Sequence, residues 1–231
     1  MKQIKMIKGK IVRKYEGLQF SGIGFHGDLH LTDLVDNLLE SCELFVETGT
    51  YTGDTLNYVS QKYPDKVCMS CEPDKKTFGV AKKNVNQNSN VKLYNLTSQE
   101  FMKNILGNDI LKKQNTLFWL DAHGYGYDWP LKEEISFFSN NSKGSFLLID
   151  DFKVPGKESI FNYDLYEDQE CSYDYIKDSI LTEHRLFYPN YSQKSSSFHP
   201  LVGWGLLTFN EGLSWEIPDK LTEFIKEEQQ T

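Results

Sequence analysis

Acids and glycines at the ends of apolar runs are the residues of this 231-residue chain best suited to chemistry. The first group is Leu44-Phe45-Val46-Glu47-Thr48-Gly49-Thr50-Tyr51-Thr52-Gly53-Asp54-Thr55, an apolar run that ends in an acid and a glycine-bearing turn before a helix. That is the layout of a nucleotide-cofactor loop, in which glycines permit tight turning and close backbone approach to a ligand. Three-glycine dinucleotide loops carry their middle glycine where this chain has Tyr51, so a pyrophosphate would meet a bulky side chain. The loop therefore reads as one for a nucleoside ligand without a pyrophosphate. Glu72 follows the next apolar run, Val67 to Cys71, where a carboxylate can accept hydrogen bonds from both hydroxyls of a ribose. Asp121 follows Thr116 to Leu120, and Asp150 with Asp151 follows Phe146 to Ile149. Singly, each acid could cap a helix or lie solvated. Capping does not account for their joint alignment at the carboxyl ends of successive strands, the edge where open parallel sheets bind ligands.

The elements that must position these residues alternate as βαβ units do. A helix over 31–40 carries Leu31, Leu34, Val35, Leu38 and Leu39 at helical spacing. Strands follow at 44–48, 67–71, 91–96, 116–120 and 146–149. Between them lie helices from near Gly53, from Asp74 as N-cap, from Ser98, and over 131–138 with Pro130 in its first turn. After Asp151 come a Pro155-Gly156 turn, a tyrosine-rich stretch, a helix at 173–181 and strands at 185–188 and 203–209. The expected fold is α/β: a Rossmann-like, doubly wound, mostly parallel seven-stranded sheet with an antiparallel last strand and helices on both faces.

The 33 acidic against 25 basic residues give a net charge of -8, which disfavours a nucleic-acid surface. No apolar run approaches the roughly 20 residues of a membrane span, and no apolar stretch follows the first charges. A soluble, cytoplasmic protein without nucleic-acid or membrane partners is the expectation. Cys42, Cys68, Cys71 and Cys171 are too few for a disulfide scaffold, and the CxxC at 68–71 lies within a buried-strand pattern with no second Cys/His pair nearby. Packing is its reading. The length suits one domain, with an N-terminal arm and helix over 1–42, a cofactor-binding core over 43–151, and a substrate-side insertion with C-terminal strands over 152–231.

The order of motifs over roughly residues 40 to 155 resembles the class I S-adenosylmethionine-dependent methyltransferases. Glu47 to Gly53 is similar to that family's first motif, apart from Tyr51, and Glu72 to its second. Phe118-Trp119-Leu120-Asp121-Ala122-His123-Gly124-Tyr125, followed by Leu147-Leu148-Ile149-Asp150-Asp151-Phe152, is similar to the metal-dependent O-methyltransferases of the macrocin type. The resemblance implies S-adenosyl-L-methionine as cofactor and S-adenosyl-L-homocysteine as product. The implied contacts are Glu47, Thr48, Gly49, Thr50, Tyr51 and Thr55 of the loop, Glu72 and Pro73 at the ribose, and Thr97 and Ser98 beside the adenine, with Asp121 close by. It further implies Mg2+ on Asp121, Asp150 and Asp151. An octahedral, oxygen-seeking ion makes sense of carboxylates that otherwise repel.

On this resemblance the activity is methyl transfer to a hydroxyl of a small molecule, a sugar or glycan precursor being the nearest case, with Asp121 and His123 as catalytic residues. His123 could equally be a metal neighbour or a loop histidine, and His199 is a second candidate base. His26 and His30 lie in a glycine-rich segment that is either a lid over the cofactor or an arm packed on the sheet. Tyr125, Tyr127 and Trp129, with Tyr163 and Tyr166, would surround the acceptor. A metal-independent N-methyltransferase and a non-catalytic nucleoside-binding subunit are the alternatives, and assembly into a homo-oligomer is left open. Tyr51 disfavours a nicotinamide oxidoreductase.

Overall fold

The computed structural model describes residues 20–107, 115–122, 129–141, 145–166, 168–192, 201–209, 215 and 217–224, with 3–7 and 10–14 as backbone. The backbone segments β1 (Gln3–Ile7) and β2 (Lys10–Lys14) pair as an antiparallel hairpin, an element not foreseen in the N-terminal arm. Eight further strands form one sheet. They are β3 (Leu44–Thr48), β4 (Val67–Cys71), β5 (Val91–Tyr94), β6 (Thr116–Leu120), β7 (Phe146–Ile149), β10 (His184–Pro189), β11 (Gly205–Phe209) and β12 (Leu221–Glu223). A short hairpin, β8 (Leu165–Tyr166) with β9 (Gln169–Glu170), lies apart from the sheet.

The spatial order is β12-β10-β11-β7-β6-β3-β4-β5. β7, β6, β3, β4 and β5 run parallel, and β11 is inserted antiparallel between β7 and β10. The expected doubly wound class is therefore present with one strand more than the seven read from sequence. The eighth, β12, is three residues with a single apolar side chain, too short to show alternation. It is held on β10 by ladder pairing and by the Arg185 guanidinium, which donates from Nε and Nη2 to the two oxygens of Glu223 at 2.8 and 2.7 Å. β5 also stops at Tyr94 rather than Leu96, because the Asn95 side-chain amide turns to donate to the carbonyls of Glu72 and Pro73.

Helices α1 (Leu29–Glu40), α2 (Asp54–Lys62), α3 (Lys75–Asn84), α4 (Ser98–Phe101), α5 (Leu131–Asn141) and α6 (Tyr173–Ile176) connect the strands. Asp28 caps α1, Asp74 caps α3 as its sequence position indicated, and Thr97 with Glu100 forms a capping box on α4. All residues of β3, β6 and β7 are buried, so these strands read as continuous apolar runs rather than alternating ones. On one face Phe118 packs on Phe138 of α5 at 4.1 Å, and on the other Trp119 takes the edge of Phe25 at 5.0 Å. All four cysteines are free and buried, and burial pushes the Cys68 thiol up to about 12, so the CxxC packs as expected and its thiols stay protonated. No described helix is long and apolar enough to cross a membrane.

Candidate active site at the carboxyl edge

Register brings the acids to one edge. Thr48 is level with Cys71 on one side and Leu120 on the other, and Leu120 is level with Ile149. The next residue of each chain segment is therefore Gly49, Glu72, Asp121 and Asp150, in one row. Backbone bonds extend the ladders through that row: Gly49 N–H donates to the Cys71 carbonyl, Glu72 to Tyr94, Asp121 to Thr48 and Asp150 to Leu120, at 3.0–3.1 Å. The residues in that row follow directly on the buried strands at the centre of the sheet.

Gly49 has φ +83°, and a Cβ there would lie 2.3 Å from the Asp121 carbonyl oxygen. The glycine thus lets the β3 turn cross directly beside the end of β6, which brings the loop and Asp121 together. A Gly49→Ala substitution combines a left-handed backbone with overlap against main chain that cannot rotate away, and is expected to destabilise by about 2–4 kcal/mol. Urea unfolding of the purified variant measures this; an unchanged midpoint would show that the turn relaxes freely.

Past Gly49, Thr50 Oγ1 lies 2.5 Å from Ser70 Oγ, and Ser70 donates to Glu47 Oε2 at 2.6 Å. Glu47 is 2% exposed, and burial, offset in part by Ser70 and reinforced by Glu72 and Asp54, raises its carboxyl to about 8. A buried acid whose described donor is a neutral hydroxyl complements a ligand cation. Glu72 is also buried, and burial raises its pKa against the hydrogen bonds it accepts from Asp74 and Tyr51. Its Oε2 accepts from the Tyr51 N–H at 2.9 Å and its Oε1 from the Asp74 N–H at 3.0 Å. Glu72 thereby pins Tyr51, which sits at φ 50°, and each oxygen keeps a further lone pair. Thr55 Oγ1 accepts from the Phe25 N–H at 3.3 Å.

The residues expected beside an adenine also make hydrogen bonds within the protein. Thr97 caps α4, and the Ser98 hydroxyl donates to Glu134 of α5. Pro73 lies next to Glu72, its carbonyl taken by Asn95. Thr48 Oγ1 and Trp119 Nε1, near the ends of β3 and β6, are buried without a partner among the described residues.

Asp121, Asp150 and Asp151 come together: each offers an oxygen, and the three lie within 4.8 Å of one another. Asp121 is half-buried, whereas Asp150 and Asp151 are 1% and 6% exposed. Asp151 takes a left-handed φ of 49° and its carbonyl accepts from the Asp164 N–H at 2.9 Å. The following residue is held from the far side, since Phe152 N–H donates to the Gly203 carbonyl at 2.8 Å and a Cβ on Gly203 would lie 2.1 Å from the Phe152 carbonyl oxygen. Asp150 Oδ1 is buried with no hydrogen-bond partner among the described residues. That orphaned carboxylate oxygen, inside a set of hard oxygen donors, fits a divalent cation.

The sequence reading did not place His26 in this group. Its Nε2 lies 2.7 Å from Asp150 Oδ2, delivered by the 3-10 turn Phe25–Gly27. Burial alone would push its imidazole down. The charge of Asp150 and the bond to it, with the fields of Asp151 and Asp121, outweigh this and raise it to about 9. A histidine flanked by Gly24 and Gly27 was the only signal available beforehand. His30 packs instead on the ring of Tyr191 at 4.6 Å. Trp129 stacks on Tyr175 at 4.4 Å and leans on Tyr166 at 5.7 Å, so two of the expected acceptor aromatics meet, with Tyr175 added. The Tyr163 hydroxyl donates to Glu170. His123, Tyr125, Tyr127 and His199 lie outside the described residues.

No protein-family model matches the sequence, and no curated protein matches it. Solved structures do match in three dimensions. The O-methyltransferase TomG of Streptomyces achromogenes, involved in tomaymycin synthesis and solved with S-adenosylmethionine, aligns with TM-score 0.52 at 10% identity over 76% of each chain. A Klebsiella pneumoniae protein described as a candidate O-methyltransferase aligns with TM-score 0.52 at 15% identity over 81% of each chain. Cofactor-bound Rv0187 from MTB aligns with TM-score 0.51 at 13% identity over 77% of this chain and 78% of its own. At such low identity the likeness is one of fold, and the chain has the Rossmann-like α/β fold of these proteins.

Proposed function

We propose that the chain is an S-adenosylmethionine-dependent methyltransferase that methylates a hydroxyl of a small molecule, a sugar or glycan precursor among the candidates, with Mg2+ as its metal. The observation that carries this reading is the single row of Gly49, Glu72, Asp121 and Asp150, with two unlike halves: a loop suited to a cationic nucleoside and a set of carboxylates suited to a hard ion. The likeness of the fold to TomG, an O-methyltransferase solved with S-adenosylmethionine, supports the first half.

Glu47 would face the positive end of the donor, and the free lone pairs of Glu72 would accept from the ribose hydroxyls. Thr48, Thr50, Tyr51, Thr55 and Pro73 would shape that wall, with Thr97 and Ser98 supporting it from behind. Asp121, Asp150 and Asp151 would hold the Mg2+, which when bound makes an acceptor hydroxyl more acidic. The transfer is an in-line displacement: the acceptor oxygen forms the new C–O bond, the S–C bond breaks, and its electron pair returns to sulfur to leave S-adenosylhomocysteine. The hydroxyl proton goes to Asp121 or His123. Because a sulfonium methyl is already activated, the protein's contribution is chiefly alignment. The chain would act as one domain, with an N-terminal arm and helix over 1–42, a cofactor-binding core over 43–151, and a substrate-side insertion with C-terminal strands over 152–231.

Calorimetric titration of S-adenosylhomocysteine and of NAD, each with and without Mg2+, tests the reading. Binding of the first and none of the second is expected, and no binding of S-adenosylhomocysteine would remove it.

A further inference from the structure

The segment 20–28 crosses the strand ends from the start of α2 to the end of β7, and each of its contacts is specific. Asp54 Oδ1 accepts from Ser21 N–H, Ser21 Oγ and Gly22 N–H at 2.6–2.7 Å, while Asp54 Oδ2 accepts from Thr52 of the cofactor loop. Phe25 is 1% exposed, wedged edge-on against Trp119 and Tyr58. Gly24 admits no side chain, since a Cβ would lie 2.9 Å from the Tyr58 Cβ. Then Phe25 and His26, two successive residues that are not glycine, both take left-handed backbone at φ 51° and 55°. Such conformations cost about 1–3 kcal/mol each and persist where the surroundings over-determine them. An arm that only covered the sheet would have no need of them. Their effect here is to carry the imidazole to Asp150.

Asp150 is divided between two tasks. Oδ2 meets His26 Nε2, a ring nitrogen that donates to the acceptor-only carboxylate, and Oδ1 is buried with no hydrogen-bond partner among the described residues. Among the described residues, the group close enough to share an ion is the three aspartates, and His26 stands beside it. A hydrogen bond on one oxygen of a ligating carboxylate fixes its rotation and directs the other oxygen.

We propose that His26 is a positioning residue for the cation site: by holding Asp150 Oδ2 it turns Oδ1 towards the ion, and through it the segment 20–28 becomes part of the metal site. The inference rests on the metal-dependent reading given above. It makes the occupied site and the closed segment one cooperative unit, so that ion binding tightens the segment lying against the cofactor loop.

Mn2+ titration by electron paramagnetic resonance, with Mg2+ as competitor, is done on wild type, H26A and H26Q, alongside apo-protein melting to verify folding. H26A is expected to bind Mn2+ about 10–100-fold more weakly, with H26Q, whose amide can still donate to Asp150, recovering part of the loss. Hydrogen exchange gives an independent readout: Mg2+ should slow exchange at Ser21, Gly22 and Phe25 in wild type and not in H26A. Affinity in H26A equal to or tighter than wild type would overturn the proposal, making His26 a counter-ion that competes for the carboxylates. Ion-insensitive exchange in a wild type that binds Mn2+ would overturn the coupling to the segment. A wild type that binds no Mn2+ would overturn the metal-dependent reading with it, whereas the other two outcomes leave that reading intact.

Discussion

Asp150→Asn is expected to abolish the response to Mg2+ and to lower methyl transfer at least about 100-fold, while leaving S-adenosylhomocysteine binding within a few fold of wild type. The substitution keeps the shape of the side chain and an oxygen acceptor but removes the charge that an ion needs. Asp150 is 1% exposed and lies within 4.8 Å of two further carboxylates, so its charge is repelled by them as well as attracted by His26. Removing one of these charges should therefore leave the apo protein about as stable as before. Bound ion stabilises the folded state by RT ln(1 + [L]/Kd), about 2.7 kcal/mol at a hundredfold excess over Kd. Melting against Mg2+ concentration should then rise for wild type and stay flat for the variant. Wild-type turnover after thorough chelation, or in the variant, would remove the metal from the mechanism and leave the aspartates as binders of the acceptor or its proton.

What the sequence made legible follows from what kind of interaction fixes each part. β3, β4, β6 and β7 begin and end where the apolar runs do, because a strand buried on both faces has no reason to stop until a polar residue must be placed. The same polar residues, Glu47 one residue before the end of its strand and Glu72, Asp121 and Asp150 just beyond theirs, are the candidate site, so finding the strands found the acids. β12 escaped because its pairing depends on Arg185, 38 positions away, and not on any local pattern. His26 escaped for the same reason on a larger scale, since its partner lies 124 positions along the chain and its backbone conformation is one that local preference opposes. Ser98 and Thr97 show the converse: their place after β5 was legible, but their hydrogen-bond partners Glu134 and Glu100 were not, because a strand-end rule does not see them.

Glu47→Gln is expected to weaken S-adenosylhomocysteine binding about 10–100-fold and, in the same protein, to raise the stability of the ligand-free state at alkaline pH. Burial is the main reason the Glu47 carboxyl titrates near 8 in the folded chain, against an ordinary value of 4.5. Below about pH 4.5 the acid is protonated both folded and unfolded, and it imposes no penalty. As pH rises from there, the unfolded chain loses the proton while the folded chain keeps it. Folding then binds a proton, and stability falls with pH until the folded acid also ionises near 8. The displacement, at about 1.36 kcal/mol per pH unit, sets a ceiling of about 5 kcal/mol, which relaxation around a bared charge lowers. Glutamine does not titrate and escapes the penalty, so the stability difference between variant and wild type should grow from pH 5 to 8 and then level off. Urea unfolding of both proteins across that range measures it, and a difference independent of pH would mean that Glu47 is ionised throughout. The residue kept at this cost should be the one whose charge the ligand needs. A cationic donor that settles on Glu47 at pH 7 must draw the proton out, so binding to wild type should release about one proton in calorimetry across buffers of different ionisation enthalpy, and binding to the glutamine variant none.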